Sequence, residues 1–104
     1  MKAPLIAAML AMAGVLAAAE TQRHTFRPKE GFVPNEKTAI KIAVAVWEPI
    51  YGENKIAGEK PYHASLSNGV WTVEGSLPKG LRGGVAFARI AKEDARILAV
   101  SHGQ

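Results

Sequence analysis

By residue type, the side chains of this 104-residue chain best suited to chemistry are His24, His63 and His102 and the serines Ser65, Ser67, Ser76 and Ser101. Imidazoles hold a metal when their spacing brings them to one point. These three fall in an arm, a strand and the C-terminal segment, with no ligand-like spacing. His63 reads as a cross-strand polar partner of Glu74, and the other two read as surface groups. No serine sits in a nucleophile elbow. The nearest carboxylate pair, Glu93-Asp94, belongs to a solvated turn, so no general acid is set against a base. Gly80-Leu81-Arg82-Gly83-Gly84 has the glycine content to cradle a phosphate. It leads into a strand, however, whereas phosphate loops lead into a helix N-terminus, so it reads as a tight crossover. No catalytic residue, cofactor or metal ligand is assigned, and the chain is not expected to be an enzyme.

The aromatic residues carry more information. Trp47, Tyr51, Tyr62 and Trp71 fall where a helix end is expected to meet the first hairpin. One reading is a core cluster. The other is a rim that anchors a protein partner, because Trp, Tyr and Arg dominate interface hot spots. On the second reading the partner-binding residues are Trp47, Glu48, Tyr51, Tyr62, Trp71, Lys79 and Arg82.

The element that must position this group is a helix over Asn35 to Gly52. Asn35 is its N-cap, Glu36 sits in its first turn, and Gly52 is its stop signal. At helical spacing Lys37, Lys41, Ala45 and Glu48 form one narrow polar stripe, and the remainder from Ala39 onward is apolar. Such a helix must be covered over more than half its circumference. Pro49 removes one N–H and disfavours helical geometry at Glu48. The helix therefore either stops near Trp47 or kinks there and takes one more turn through Tyr51. Residues 20 to 34 read as an extended arm anchored by Phe26 and Phe32, with Phe32 or Val33 stapling the first helical turn. Glu53 to Lys60 reads as a polar loop with one apolar point, Ile56.

From Pro61 the period changes to alternation. Asn68-Gly69 is the strongest two-residue hairpin signal, and it sets Leu66 opposite Trp71, Ala64 opposite Val73 and Tyr62 opposite Gly75 on one apolar face. Ser65 opposite Thr72 and His63 opposite Glu74 make the polar face. Beyond the Pro78–Gly84 connection, a second hairpin turns at Glu93-Asp94-Ala95. A three-residue loop with a bulge pairs Ile90 with Leu98, Ala88 with Val100 and Ala86 with His102, and it asks Ala95 to take a positive φ. The expected architecture is α+β, one long N-terminal helix packed on a curved four-stranded antiparallel meander.

Residues 1–19 read as a cleaved signal peptide: Lys2, an apolar run from Leu5 to Leu16, and Ala17-Ala18-Ala19 before the cut. Residues 35–104 then form a single domain behind the 20–34 arm. The chain has no cysteine, so packing rather than disulfides must hold an exported domain of this size. Without Lys2 there are 12 basic residues against 9 acidic, a net charge of +3. The basic residues are scattered and not interleaved with aromatics, which argues against nucleic acid as a partner.

The ordered pieces AVWEPIYG, PYHASLSNGVWTVEGSLPKG and GGVAFARIAKEDARILAVSHG carry a resemblance. Together, over residues 36 to 103, the chain resembles the small NTF2-fold immunity protein family of bacterial polymorphic toxin systems. The resemblance implies a reduced NTF2-like or cystatin-like form, with the helix in the concavity of the sheet. It implies a function too: binding and blocking a cognate antibacterial toxin, with no catalytic set to carry over. Ala95 departs from the Asp-Gly turn expected there. With the leader, the meeting place would be the periplasm, without stable membrane association after cleavage. Two other readings are a periplasmic small-molecule- or peptide-binding NTF2-like module, which needs an unfilled cavity at Trp47, Tyr51 and Trp71, and a PepSY-like peptidase inhibitor, suggested by the strand and turn at 85–100.

Overall fold

The computed structural model describes residues 24–103; the leader expected over residues 1–19 lies outside them. Helix α1 runs from Glu36 to Tyr51 and a short helix α2 from Glu53 to Ala57. The strands β1 (His63–Ser67), β2 (Val70–Glu74), β3 (Ala86–Ala91) and β4 (Ile97–His102) then form one antiparallel sheet in the order β1-β2-β3-β4. This is the expected helix on a four-stranded meander.

Helix α1 begins at an extended Asn35, whose side-chain oxygen accepts from Thr38 N at 2.9 Å and from Thr38 Oγ1 at 2.8 Å. It satisfies one of the orphan donors of the first turn. The helix continues through Pro49 without stopping at Trp47. The missing N–H of Pro49 leaves unpaired the carbonyl four residues earlier, that of Ala45, and both residues face solvent, where water can replace the lost bond. Gly52, at φ 100°, ends the helix and donates its N–H to Glu48 O at 2.9 Å. Its buried stripe is Ala39, Ala43 and Trp47, with Ile40, Ile42 and Val44 packed half-buried on its flanks. Cover is thus narrower than the composition suggested, and Ile50 remains 57% exposed. The two alanines bring the helix close to the sheet, which answers with Ala86 and Ala88 on its inner face beside Val73 and Ile90.

The first hairpin has the register fixed by Asn68-Gly69: Leu66 opposite Trp71, Ser65 opposite Thr72, Ala64 opposite Val73 and His63 opposite Glu74. Positive φ at Asn68 (50°) and Gly69 (75°) is what a two-residue turn matched to strand twist requires. In the second hairpin Ala86 faces His102 and Ala88 faces Val100 as expected, but Ile90 faces Ile97 rather than Leu98. The closing bonds run from Ala91 N to Arg96 O and from Ala95 N to Ala91 O, which makes a four-residue loop. The extra residue is absorbed within β4, where the register shifts beside Ile90. Ala95 takes the expected positive φ, 66°.

Two further expectations are corrected. The arm is held not by Phe26 and Phe32, which are exposed, but by fully buried Val33. Phe32 N and Val33 N donate to Glu93 O and Lys92 O, each at 3.0 Å, so the arm's last residues pair with the β3–β4 turn. Gly31 permits this: at φ 86° a Cβ there would stand 2.5 Å from Lys92 O. The segment after Gly52 is not a loop but begins as α2, because Ile56 buries completely; burying such a side chain contributes roughly 1.5–3 kcal/mol.

Candidate partner-binding surface

The structure divides the seven residues expected to bind a partner. Trp47 is fully buried and Trp71 is 5% exposed, so neither offers a surface. Each indole has a hydrogen-bond partner: Trp47 Nε1 donates to Phe87 O at 3.2 Å, and Trp71 Nε1 to Val33 O at 2.8 Å. As partner contacts both are corrected to core residues. Trp47 from the helix and Trp71 from the sheet together fill space between the two layers. The core-cluster reading holds: Trp47 and Trp71 belong to one buried cluster, with Tyr51 and Tyr62 packed half-buried against it, and Trp71 reaches the point where the arm enters α1.

Tyr62 packs on Trp47 at a centroid separation of 5.9 Å, and its hydroxyl donates to Ile56 O at 2.8 Å. Burial raises its phenol above the usual 10.0, and the carboxylates of Glu48 and Glu59 add in the same direction. Tyr51 lies 5.2 Å from the His102 ring. Glu48, Tyr51 and Tyr62 are half-buried along one side, while Lys79 and Arg82 are exposed on the loop between β2 and β3.

The most constrained polar group was not among the seven. Glu59, the one buried charged residue among those described, is 5% exposed. Its Oε1 accepts from Ala86 N at 2.7 Å, and its Oε2 lies 2.7 Å from His102 Nε2. Its backbone also accepts from Ser76 N at 2.6 Å. A side chain at Gly75 would overlap this carboxylate, so the glycine makes room for it. Gly75 was the available sequence signal, since a glycine at a strand end often marks a close approach. His102, expected at the surface, is half-buried in this contact.

Outside the pair, a cleft of about 260 Å³ opens between α2 and the β2–β3 loop. Lys55 and Arg82 stand at it, with Leu77, Pro78 and Leu81 as apolar wall and Glu59 and His102 as its floor. A serine–histidine contact also exists: Ser76 Oγ lies 3.2 Å from His63 Nε2. That hydroxyl donates to Pro61 O at 2.5 Å, so its proton is directed away from the imidazole and the serine is not activated. Among the described residues, no three His, Asp or Glu side chains converge as metal ligands.

The family model of the NTF2 fold immunity proteins matches residues 38–104, which span nearly all of α1 and every strand, and the chain belongs to that family. An Escherichia coli (strain K12) protein described as the uncharacterized protein YhhH is 34% identical over 73 residues, covering 69% of this chain. The chain spans 58% of the length of that relative. No solved structure gives a significant match.

Proposed function

We propose that this chain is an immunity protein that binds a cognate antibacterial toxin in the periplasm and blocks it by steric occlusion, without catalysis of its own. The observation that carries the proposal is the family match over 38–104, which takes in the fold's whole framework. The sealed interior supports it, since Trp47 and Trp71 are consumed by packing and by hydrogen bonds, and no buried side-chain polar atom among the described residues lacks a partner. What remains for function is the outside of the molecule. A small-molecule module would need those two indoles to line an open cavity. The export step rests on Lys2, the Leu5–Leu16 run and Ala17-Ala18-Ala19.

The test is genetic. A toxin encoded beside this chain, sent to the periplasm, is expected to kill cells lacking the protein and to spare cells that co-express it. Failure to protect, together with failure to co-purify, would remove the immunity reading. The compartment is checked separately: mass spectrometry of the protein from the periplasmic fraction should find it beginning near Glu20, and an intact Met1 in the cytoplasmic fraction would contradict export.

A further inference from the structure

We infer that the cleft between α2 and the β2–β3 loop is the docking slot for the toxin, and that its occupant is an acidic, partly apolar loop on the toxin's surface. The inference deepens the immunity reading and rests on it.

Charge is the first argument. Lys55 and Arg82 line the cleft and Lys79 stands exposed on the same loop, while the one carboxylate lining it, Glu59, is already committed to Ala86 N and His102 Nε2. With both its oxygens hydrogen-bonded within the chain, a ligand at the cleft finds Lys55 and Arg82 as the available charged groups, and a partner carboxylate there gains charge-assisted hydrogen bonds from the guanidinium. The second argument is apolar. Leu77 is 41% and Leu81 60% exposed on this one loop, next to the cations, and neither belongs to the hydrophobic core cluster. A leucine left in water beside an arginine is the composition of an interface centre with its polar rim. The third is adaptability. From 77 to 85, the one backbone hydrogen bond among the described residues is Leu81 N to Pro78 O at 3.1 Å, so the loop can adjust to a partner without breaking the sheet. Its base is rigid all the same, because Ser76 N and Ala86 N are both tied to Glu59.

The experiment measures binding of the purified toxin encoded beside this chain to three forms of the intact protein. One is wild type, one is Lys79→Glu/Leu81→Asp/Arg82→Glu, and one is Lys37→Glu/Lys41→Glu on the exposed stripe of α1. All five positions are exposed or carry no core packing, and a circular-dichroism melt verifies that each variant stays folded. The loop variant is expected to bind at least roughly tenfold more weakly and to lose protection in cells, while the α1 variant changes by less than about threefold. A loop variant that binds like wild type overturns the inference while leaving the immunity reading intact. So does a wild-type dimer in light scattering that the loop variant dissolves, since the slot's occupant would then be a second copy. No binding or protection by wild type overturns the immunity reading, and the inference falls with it.

Discussion

Glu59 Oε2 lies 2.7 Å from His102 Nε2, so a residue just beyond the short helix α2 grips the final strand across the mouth of the sheet. The other oxygen takes the N–H of Ala86, the first residue of β3. One carboxylate thereby joins the α2 segment, the start of β3 and the end of β4. Removing it leaves a buried donor unsatisfied. Glu59→Ala is expected to lower unfolding free energy by about 2–4 kcal/mol in urea titrations, and Glu59→Gln, which keeps an acceptor for Ala86 N, by roughly half as much. Gly75→Ala should lose about 1–3 kcal/mol because its methyl meets the same carboxylate. The Glu59→Ala/Gly75→Ala double variant should lose less than the two single losses combined. Additive losses would show that the glycine and the carboxylate do not compete for the same space.

The two tryptophans supply a second prediction, since they belong to the interior. Trp47→Ala is expected to lose about 3–5 kcal/mol through the space it leaves. Trp71→Phe, which keeps an aromatic ring but a smaller one and orphans Val33 O, should lose about 1–3 kcal/mol. Ile50→Ala, at a side chain 57% exposed, should stay within about 0.5 kcal/mol of wild type. Thermal melts of the three variants give the order directly, and a Trp47→Ala protein as stable as wild type would contradict the core assignment.

Ala95 holds a φ of 66° in the β3–β4 turn, a conformation that a Cβ disfavours. Ala95→Gly relieves it while giving up a half-buried methyl, so a net gain of about 0.5–1 kcal/mol is expected. Denaturant midpoints of the two proteins measure it; an unchanged or lower midpoint would mean that the methyl matters more than the strain.

Tyr62 gives the pH prediction. Its raised phenol means the folded state holds the proton more tightly than the unfolded chain, principally through burial and then through Glu48 and Glu59. The sign follows: this stabilisation is complete below the ordinary value of 10.0 and is lost as pH rises through the higher folded value. Ionisation also removes the donor to Ile56 O. The difference between tyrosinate absorbance titrations of wild type and Tyr62→Phe should place Tyr62 above 10.0, and Glu48→Gln should bring it down. A midpoint at or below the ordinary value would contradict the environment described.

How far the sequence could be read depended on the range of the interactions. The first hairpin was legible to the residue because Asn68-Gly69 sets its register locally. The second was legible at Ala86 and Ala88 but not at Ile90, because where a bulge is absorbed depends on packing across β4 and not on the turn residues alone. Helix α2 escaped notice since five residues carry too little periodicity to stand out, and only the complete burial of Ile56 justifies it. The aromatic positions were recognised with two readings, core cluster or partner rim; the burial of Trp47 and Trp71 decides for the core, which residue type and spacing alone could not. For Glu59 the one local hint was Gly75, which marks a close approach without naming what approaches, because the partners Ala86 and His102 lie 27 and 43 residues away. The cationic loop, by contrast, was visible in Lys79 and Arg82 from the start.

The most direct test is inhibition, in solution, of the toxin that the proposed function expects to be encoded beside this chain. The purified chain, added in increasing amounts to the toxin encoded beside it, is expected to silence the toxin's activity at a one-to-one ratio and to elute with it as a single complex. A toxin that keeps full activity in the presence of excess folded protein, with no complex formed, would contradict the claim that this fold protects by binding.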